Sequence, residues 1–324
     1  MKIRQIIVLG LIFLCIQTAT ATLRLATETG PIYIRADGTV EPTGAPIQRS
    51  GDVYTLTDNV TSQVDGIVIE KSGITFDGSG YTVQGGASGN GFYLHGISNV
   101  TIGNVRTEGF NYGIYLESTS RNVISRNDIK GSTYDGIGLY DAANNSVSSN
   151  SITENDWSGI GLYFSTGNNI SANYIANNYY GMNCFSSQEN WIFHNNFVAN
   201  TNQTSSDDLQ NAWDNGREGN YWSNYNGTDA NGDYIGDTPY VIDQNNIDRY
   251  PLMYIYWSPC DINHDLKVNM KDVAAAARAF GTSQGDALWN PHADITGLVP
   301  LVPDGKVDMR DISLIARNFG KKYA

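Results

Sequence analysis

The sequence predicts a mainly β chain, a parallel β-helix of 22–23-residue coils that is followed by a small α-helical module. Two patterns carry this prediction: a motif that recurs at spacings of 23, 23 and 22 residues between 113 and 181, and two acidic loop-helix segments within 261–320. The 324 residues include 34 glycines and 34 asparagines, and the net charge is −13. This acidity excludes nucleic-acid binding through a basic face. The 40% hydrophobic content excludes a disordered chain.

Residues 1–21 have the pattern of a signal peptide. Lys2 and Arg4 give the positive start, the apolar run 6–16 follows, and Ala19-Thr20-Ala21 is the small-x-small sequence that signal peptidase requires. The apolar run is shorter than the ~20 residues that cross a bilayer. An uncleaved membrane anchor is the alternative. The sequence therefore predicts export to the extracellular space or the cell surface.

The repeats are predicted over residues 51–200, after an N-terminal segment or cap at 22–50. The four clearest copies begin at Gly113, Gly136, Gly159 and Gly181. Asparagines stand nine and fourteen residues after these glycines: Asn122, Asn145, Asn168 and Asn190, then Asn127, Asn150, Asn173 and Asn195. Between them apolar and polar residues alternate, which predicts strands.

No single repeat can bury its apolar face alone, so neighbouring repeats are expected to stack as parallel strands. Inward Ile, Leu and Val would then form columns along the axis. Asparagines at one corner can hydrogen-bond from coil to coil. Asparagine also tolerates the left-handed backbone of tight corners, so we expect Asn ladders at these corners.

The motif G-[IM]-x-[LC] followed by N-x-[IV]-x-x-N-x-[IF] resembles the repeats of NosD-like proteins over about residues 51–255. The resemblance implies a right-handed parallel β-helix, a coil shared with many carbohydrate-binding and sugar-cleaving proteins. NosD proteins are tied to copper delivery for nitrous oxide reductase, so a copper role is also implied. Met182, Cys184 and His194 are the one clustered set of soft ligands. Because Cys184 occupies an inward position of the repeat, a buried hydrophobe is the favoured interpretation.

Residues 201–256 are predicted to cap the end of the coil. An open solenoid end exposes strand edges and core, and Trp213, Tyr221, Trp222 and Tyr225 can cover them. The segment also contains an acidic, glycine-rich turn whose alternate oxygens suit one Ca²⁺. Its candidate ligands are Asp229, Asn231, Asp233 and Asp237. A turn that holds no metal is the alternative.

Residues 257–324 contain the strongest motif, a calcium-type loop followed by a helix, and a second copy of it. The first helix is expected from Asp272 to Phe280. The candidate ligands of the first loop are Asp261, Asn263, Asp265, the Lys267 carbonyl, Asn269 and Asp272. Those of the second are Asp294, Thr296, Asp304, the Lys306 carbonyl, Asp308 and Asp311.

Two such loop-helix units in ~65 residues resemble a type I dockerin, an EF-hand-like module. The resemblance implies two bound Ca²⁺ ions and a cohesin module on a scaffold or surface protein as partner. Loop positions 10 and 11 are Met270-Lys271 and Met309-Arg310, where many bacterial dockerins have Ser-Thr, so partner specificity does not carry over. A calcium-stabilised cap that docks on its own β-helix is the alternative.

On the coil itself, Asp135 and Asp156 are the candidate catalytic pair, since glycoside cleavage requires two carboxylates. Tyr112, Tyr134, Trp157 and Tyr180 are candidates for a strip that stacks on sugar rings. A solvated acidic face with aromatics placed by β propensity is the alternative to catalysis, and the favoured one.

Three functions follow from these patterns. The leading hypothesis is a secreted or surface-attached carbohydrate-interacting protein that is tethered through its calcium-dependent module. The second is a glycoside hydrolase or polysaccharide lyase that uses the same face. The third is a NosD-like copper-processing protein or a purely structural surface protein.

Overall fold

The structure, a computed structural model, describes residues 30–256, 260–262, 267–283, 285–290, 293–295 and 304–320. The predicted signal peptide lies outside these residues. Residues 30–256 form a parallel β-helix in which three long sheets run along the axis. Neither of the two helices that the structure describes has the length and apolar character needed to cross a membrane.

The first sheet, called sheet 1, has nine strands. They are Ile32–Ile34, Val40–Glu41, Ile67–Ile69, Asn90–His95, Tyr112–Glu117, Ile137–Tyr140, Ser158–Tyr163, Tyr180–Phe185 and Asn202–Ser206.

The other two long sheets have eight strands each. Sheet 2 comprises Ile47–Ser50, Val53–Leu56, Thr75–Asp77, Thr101–Gly103, Val123–Ser125, Ser146–Ser148, Asn169–Ser171 and Trp191–Phe193. Sheet 3 comprises Val60–Ser62, Thr82–Gly85, Arg106–Glu108, Asp128–Lys130, Ser151–Thr153, Tyr174–Ala176, Asn196–Val198 and Tyr221–Trp222. A separate pair, Tyr240–Val241 and Ile247–Asp248, is antiparallel.

The predicted repeat register is confirmed by the strand pairing. Ile114 pairs with Ile137, which pairs with Ile160, which pairs with Met182. All four side chains are fully buried and form one column of the core. Cys184 is likewise buried beside this column, as its inward position in the repeat predicts.

Parallel pairing extends beyond the predicted repeat segment at both ends. Ile32–Ile34 pairs in parallel with Ile67–Ile69, and Asn202–Ser206 pairs with Tyr180–Phe185. The strands Ile32–Ile34 and Asn202–Ser206 are not followed by the two regularly spaced asparagines of the repeat, so their short runs do not stand out in the sequence. The strand Tyr221–Trp222 of the predicted cap also joins sheet 3.

The asparagine ladders are confirmed, and there are three of them among the described residues. In each, the side-chain oxygen accepts from both the backbone N–H and the side-chain amide of the asparagine one coil earlier, as Asn168 does from Asn145. The first ladder comprises Asn122, Asn145, Asn168, Asn190 and Asn211. The second ladder comprises Asn127, Asn150, Asn173, Asn195 and Asn220. The third ladder comprises Asn155, Asn178 and Asn200.

The expectation that the ladder asparagines adopt the left-handed backbone is wrong. The residue immediately before the ladder position has positive φ instead, for example Arg121 at 56°, Arg126 at 59° and Glu154 at 57°. The corner is therefore turned one residue earlier, which frees the following amide to point along the axis. Several of these positive-φ positions carry residues other than Gly or Asn, for which the left-handed backbone costs about 1 kcal/mol. The ladder hydrogen bonds offset this cost.

The end of the coil is covered by aromatic side chains of the predicted cap. Trp213 and Trp222 are fully buried. Trp222 stacks between Phe197, at 4.4 Å, and Tyr240, at 4.2 Å. Its indole N–H donates to Asp248, whose burial raises the pKa of that carboxyl to about 6.

The C-terminal residues contain helix α1 (Met270–Ala279) and helix α2 (Met309–Arg317). Helix α1 begins two residues before the predicted Asp272, because Asn269 and Asp272 form a capping box there. The two units also exchange backbone hydrogen bonds symmetrically. Gly281 N–H donates to the Val307 carbonyl, and Gly320 N–H donates to that of Val268. The two copies in the sequence thus fold as a pair.

Candidate functional site

The outer face of sheet 1 has a shallow floor where two successive strands carry glycine at an outward position. Gly138 and Gly161 pair with each other, between Tyr115 on one side and Asn183 on the other. A Cβ atom at Gly161 would lie 2.4 Å from Asp135 Oδ2. The missing side chain therefore leaves the space into which Asp135 folds.

Asp135 is the buried carboxylate of this floor. It lies just before the strand Ile137–Tyr140, in register between Tyr112 and Ser158, and it is 1% exposed. Burial raises its pKa to about 6, and the hydroxyls of Ser158 and Tyr163 oppose this shift. Neither hydroxyl completes a hydrogen bond of ordinary geometry to it, so both carboxylate oxygens are buried without a partner. Such a group is rare in a protein interior.

Tyrosines surround this carboxylate. Burial, and after it the charge of Asp135, raises the pKa of Tyr112 to about 12. The pKa of Tyr115 is also raised to about 12, by burial and then by the charges of Glu117, Tyr140 and Asp135. The pKa of Tyr163 is raised by burial and then by Asp135. These phenols keep their protons at neutral pH, so they can hydrogen-bond but do not serve as bases.

One row of exposed aromatic rings borders the floor at the start of the strands. Tyr134 is 50% exposed, and Trp157 and Tyr179 are 43% exposed each. Trp157 stacks on Tyr179 at 5.5 Å and meets Tyr180 edge-on at 5.2 Å. Tyr134 lies 5.5 Å from Tyr112. Of the four predicted sugar-binding residues, Tyr134 and Trp157 thus belong to this row, and Tyr112 and Tyr180 pack against it. We call Tyr134, Trp157 and Tyr179 the first aromatic row.

A second aromatic row borders the opposite side of the floor and was not predicted from the sequence. It consists of Tyr140, Phe164 and Phe185, each at least 40% exposed. Phe164 contacts Tyr140 at 5.4 Å and Phe185 at 5.7 Å. The signal was present, since an aromatic stands four or five residues after three of the four repeat glycines, Gly136, Gly159 and Gly181. A polar groove floor between two apolar rims is the result.

Beside the floor, Glu117 accepts a hydrogen bond from Tyr93 and lies close to His95. Tyr93 Oη donates to Glu117 Oε2 at 2.5 Å, and His95 Nδ1 lies 3.3 Å from the same oxygen. Tyr93 also stacks on Tyr115 at 5.9 Å. This cluster extends the polar and aromatic surface by one coil toward the N-terminus.

The two predicted catalytic carboxylates occupy different environments. Asp156 is exposed in the turn before the strand Ser158–Tyr163, two residues ahead of the position in register with Asp135. Asp135 is buried below the tyrosines. The structure thus brings Asp135, and not Asp156, into the floor between the aromatic rows.

The soft-ligand set considered for copper does not form a site. Met182 and Cys184 point into the core, where burial raises the pKa of the Cys184 thiol. His194 lies outside it, with its Nε2 2.7 Å from Glu218 and its ring stacked on Tyr256. Within the described part of the chain, no three His, Cys, Asp or Glu side chains come together as metal ligands. The residues present there do not fit a copper centre.

The candidate calcium residues of the cap hold turns closed. Asp229 accepts from the backbone N–H groups of Gly232, Asp233 and Tyr234. Asp237 accepts from Ala230 N–H, and Asn231 donates to Asp233.

Of the C-terminal calcium candidates, Asn263, Asp265 and Thr296 lie outside the described residues. Asp272 and Asp311 are buried and accept from the backbone N–H of the N-cap residues Asn269 and Asp308. Asp294 accepts from Asp304 and Gly305 N–H. Asp261 is buried, and Lys267 and Lys306 stand just before the helices. These carboxylates therefore lie where the loops meet the helices.

A family model for NosD, described as a periplasmic copper-binding protein, matches residues 28–227. The chain belongs to the NosD family. The match covers the β-helix and ends within the cap, so the C-terminal module lies beyond it.

Two solved structures of the periplasmic alginate epimerase AlgG, a point mutant and a double mutant, resemble the chain. The first has 15% identity and a TM-score of 0.34 over 52% of this chain and 63% of that one. The second has 14% identity and a TM-score of 0.35 over 58% and 70%. The chain thus spans less than two thirds of the first of these structures. Comparison with curated proteins gave no significant match.

Proposed function

We propose that this chain is an exported protein of the NosD family that binds polysaccharide on the outer face of sheet 1. The observation that supports the proposal is the pair of exposed aromatic rows on either side of a polar floor. Aromatic rings offer the C–H faces of sugars a flat apolar surface, while tyrosine hydroxyls hydrogen-bond their edges. The rows run along the axis, so the surface is long enough for a chain and not only a single sugar.

Export is supported by the signal-peptide pattern and by the periplasmic description of the family. A glycoside hydrolase or lyase would need a second group to act with Asp135. Asp156 is exposed outside the floor, so the binding function is the one that the geometry favours.

Replacing Trp157 with Ala is expected to weaken polysaccharide binding by about tenfold or more, because central aromatic side chains dominate such surfaces. Affinity electrophoresis on gels that contain soluble polysaccharides, followed by calorimetry on those that retard the protein, measures the effect. Trp191→Ala is the matched control, since Trp191 is 53% exposed but lies on sheet 2. Equal losses in both variants, or none in Trp157→Ala, would contradict the proposal.

Copper handling is the function that the description of the family suggests. The described residues of this chain offer no set of ligands for it, and we therefore do not propose it.

We also propose that the C-terminal module binds two Ca²⁺ ions and tethers the protein to a cohesin-like partner. The symmetric exchange of hydrogen bonds between the two loop-helix units supports a paired, EF-hand-like arrangement. The repeated capping box at Asn269 and Asp308 supports equivalent roles for the two copies. The acidic turn at 229–237 is a further candidate for one ion.

Chelation of Ca²⁺ is expected to unfold the C-terminal module, because the carboxylates within each loop repel one another when no cation is bound. Thermal melting followed by circular dichroism, with EDTA or with excess Ca²⁺, measures this. The β-helix serves as the internal control, since its transition should stay in place. A melting curve that EDTA leaves unchanged would contradict the calcium proposal.

A further inference from the structure

The charges around the floor of sheet 1 define the class of glycan that this face can accept. The strands and turns that carry the two aromatic rows are residues 131–143, 154–166 and 177–188, and residues 109–120 carry the neighbouring Tyr112 and Tyr115; all of them are described. These segments contain no Lys and no Arg. Their charged groups are all carboxylates: Glu117, Asp135, Asp141, Glu154 and Asp156.

Three cations on or beside neighbouring strands are already paired, and Arg121 lies beyond the end of its sheet 1 strand, in the turn that leads to sheet 2. Arg35, which follows the strand Ile32–Ile34 of sheet 1, binds Glu41 and Glu70 at 2.6 and 2.9 Å. On sheet 3, Arg106 lies 3.6 Å from Asp128, and Lys130 lies 3.5 Å from Glu108. None of these cations faces the floor of sheet 1 as a free partner for an anion.

We infer that the glycan bound on sheet 1 is uncharged, and that this face rejects polyuronates. The inference rests on the proposed function and adds the substrate class to it. A polyuronate carries one carboxylate per sugar, and each would approach a surface that has several carboxylates and no counter-charge. An uncharged glycan meets only rings, amides, hydroxyls and the acceptor oxygens of Asp135, Glu117 and their neighbours, which suit sugar hydroxyl donors.

Asp135 strengthens this discrimination. Its carboxylate lies against Gly161 of the floor, makes no hydrogen bond of ordinary geometry, and has no paired cation among the described residues. Its field is less screened by solvent than that of a surface group, because the side chain is buried. Recognition of an amino sugar would also suit a carboxylate, but the rims offer apolar rings and the floor offers amides such as Asn183, which fit neutral groups.

The test uses pairs of probes that share a backbone and differ in charge. Binding of the full exported chain is measured in ~20 mM salt, where electrostatic effects are least screened. The probes are fully methyl-esterified and de-esterified polygalacturonate, N-acetylated and de-acetylated chitosan, and a panel of xyloglucan, glucomannan and mixed-linkage β-glucan. We expect at least one uncharged probe to bind in a Trp157-dependent manner. De-esterified polygalacturonate should bind at least about tenfold more weakly than that probe.

A variant of the protein also tests whether the carboxylates of this face exclude polyuronates. Asp156→Lys places a cation beside Trp157 and should raise the affinity for de-esterified polygalacturonate by about fivefold or more at low salt. Glu189→Lys is the control, because Glu189 is exposed beside Trp191 on sheet 2. The gain should disappear at ~0.5 M salt.

The outcomes separate the two proposals. If de-esterified polygalacturonate or de-acetylated chitosan binds more tightly than the uncharged probes, with loss in Trp157→Ala, the inference about charge is overturned and the proposed function stands. If no polysaccharide binds, or if binding ignores Trp157, the proposed function fails and the inference fails with it.

Discussion

Replacing Asn173 with Ala is expected to lower the free energy of unfolding of the β-helix by about 3–5 kcal/mol. Asn173 is fully buried in the middle of the second ladder. Its oxygen accepts from the backbone N–H and side-chain amide of Asn150, at 3.1 and 3.0 Å. Its amide donates to the Val147 carbonyl and to Asn195, both at 2.9 Å. Alanine removes all four bonds and leaves buried polar groups in the two neighbouring coils without these partners.

Urea denaturation followed by circular dichroism measures this loss. Asn202→Ala is the control, since Asn202 is exposed on sheet 1 and should change stability by less than about 0.5 kcal/mol. Equal free energies of unfolding for the two variants would contradict the prediction, because they would show that the ladder hydrogen bonds do not stabilise the coil.

Replacing Asp135 with Asn is expected to stabilise the protein at pH 7 by about 2–3 kcal/mol and to leave its stability near pH 4 almost unchanged. The folded-state pKa of Asp135 is about 6, against an ordinary value of 3.8 for an aspartate. One unit of pKa difference corresponds to about 1.4 kcal/mol. The buried neutral acid is tolerated, whereas the buried charge loses its hydration, which the nearby hydroxyls of Ser158 and Tyr163 offset only in part.

The direction follows from proton linkage. Between pH 4 and 6 the unfolded chain releases this proton and the folded chain keeps it, so stability falls as pH rises through this window. From about pH 7 upward the destabilisation is constant, because both states have then released the proton. Asp248 also has a pKa of about 6, so the wild-type curve contains both groups. The difference between wild type and Asp135→Asn isolates one of them, and a difference that does not change with pH would contradict the assignment.

The coil and its ladders could be predicted because their signals are local and periodic. Gly113, Gly136 and Gly159 fix the register, and the asparagines that follow each of them can stack only if the coils are equal in length. The third ladder at Asn155, Asn178 and Asn200 escaped prediction, because only three coils contribute to it.

The candidate site was only half visible in the sequence. Two members of the first aromatic row could be named because Tyr134 and Trp157 recur at coil spacing, whereas the prediction chose Tyr180 and the exposed member is its neighbour Tyr179. The buried state of Asp135 could not, since it depends on Gly161 of the next coil, which lacks the side chain that would fill the same space. The second row escaped prediction because Tyr140 stands one position earlier in its repeat than Phe164 does.

The central claim, that the outer face of sheet 1 binds glycan, is tested most directly by hydroxyl-radical footprinting. The protein is exposed to radicals with and without the uncharged polysaccharide that binds it best, and side-chain oxidation is measured by mass spectrometry. Protection of Trp157, Tyr179 and Phe164 with unchanged oxidation of Trp191 is the predicted result. Protection of Trp191, with Trp157 and Tyr179 oxidised as before, would place the ligand elsewhere and contradict the account.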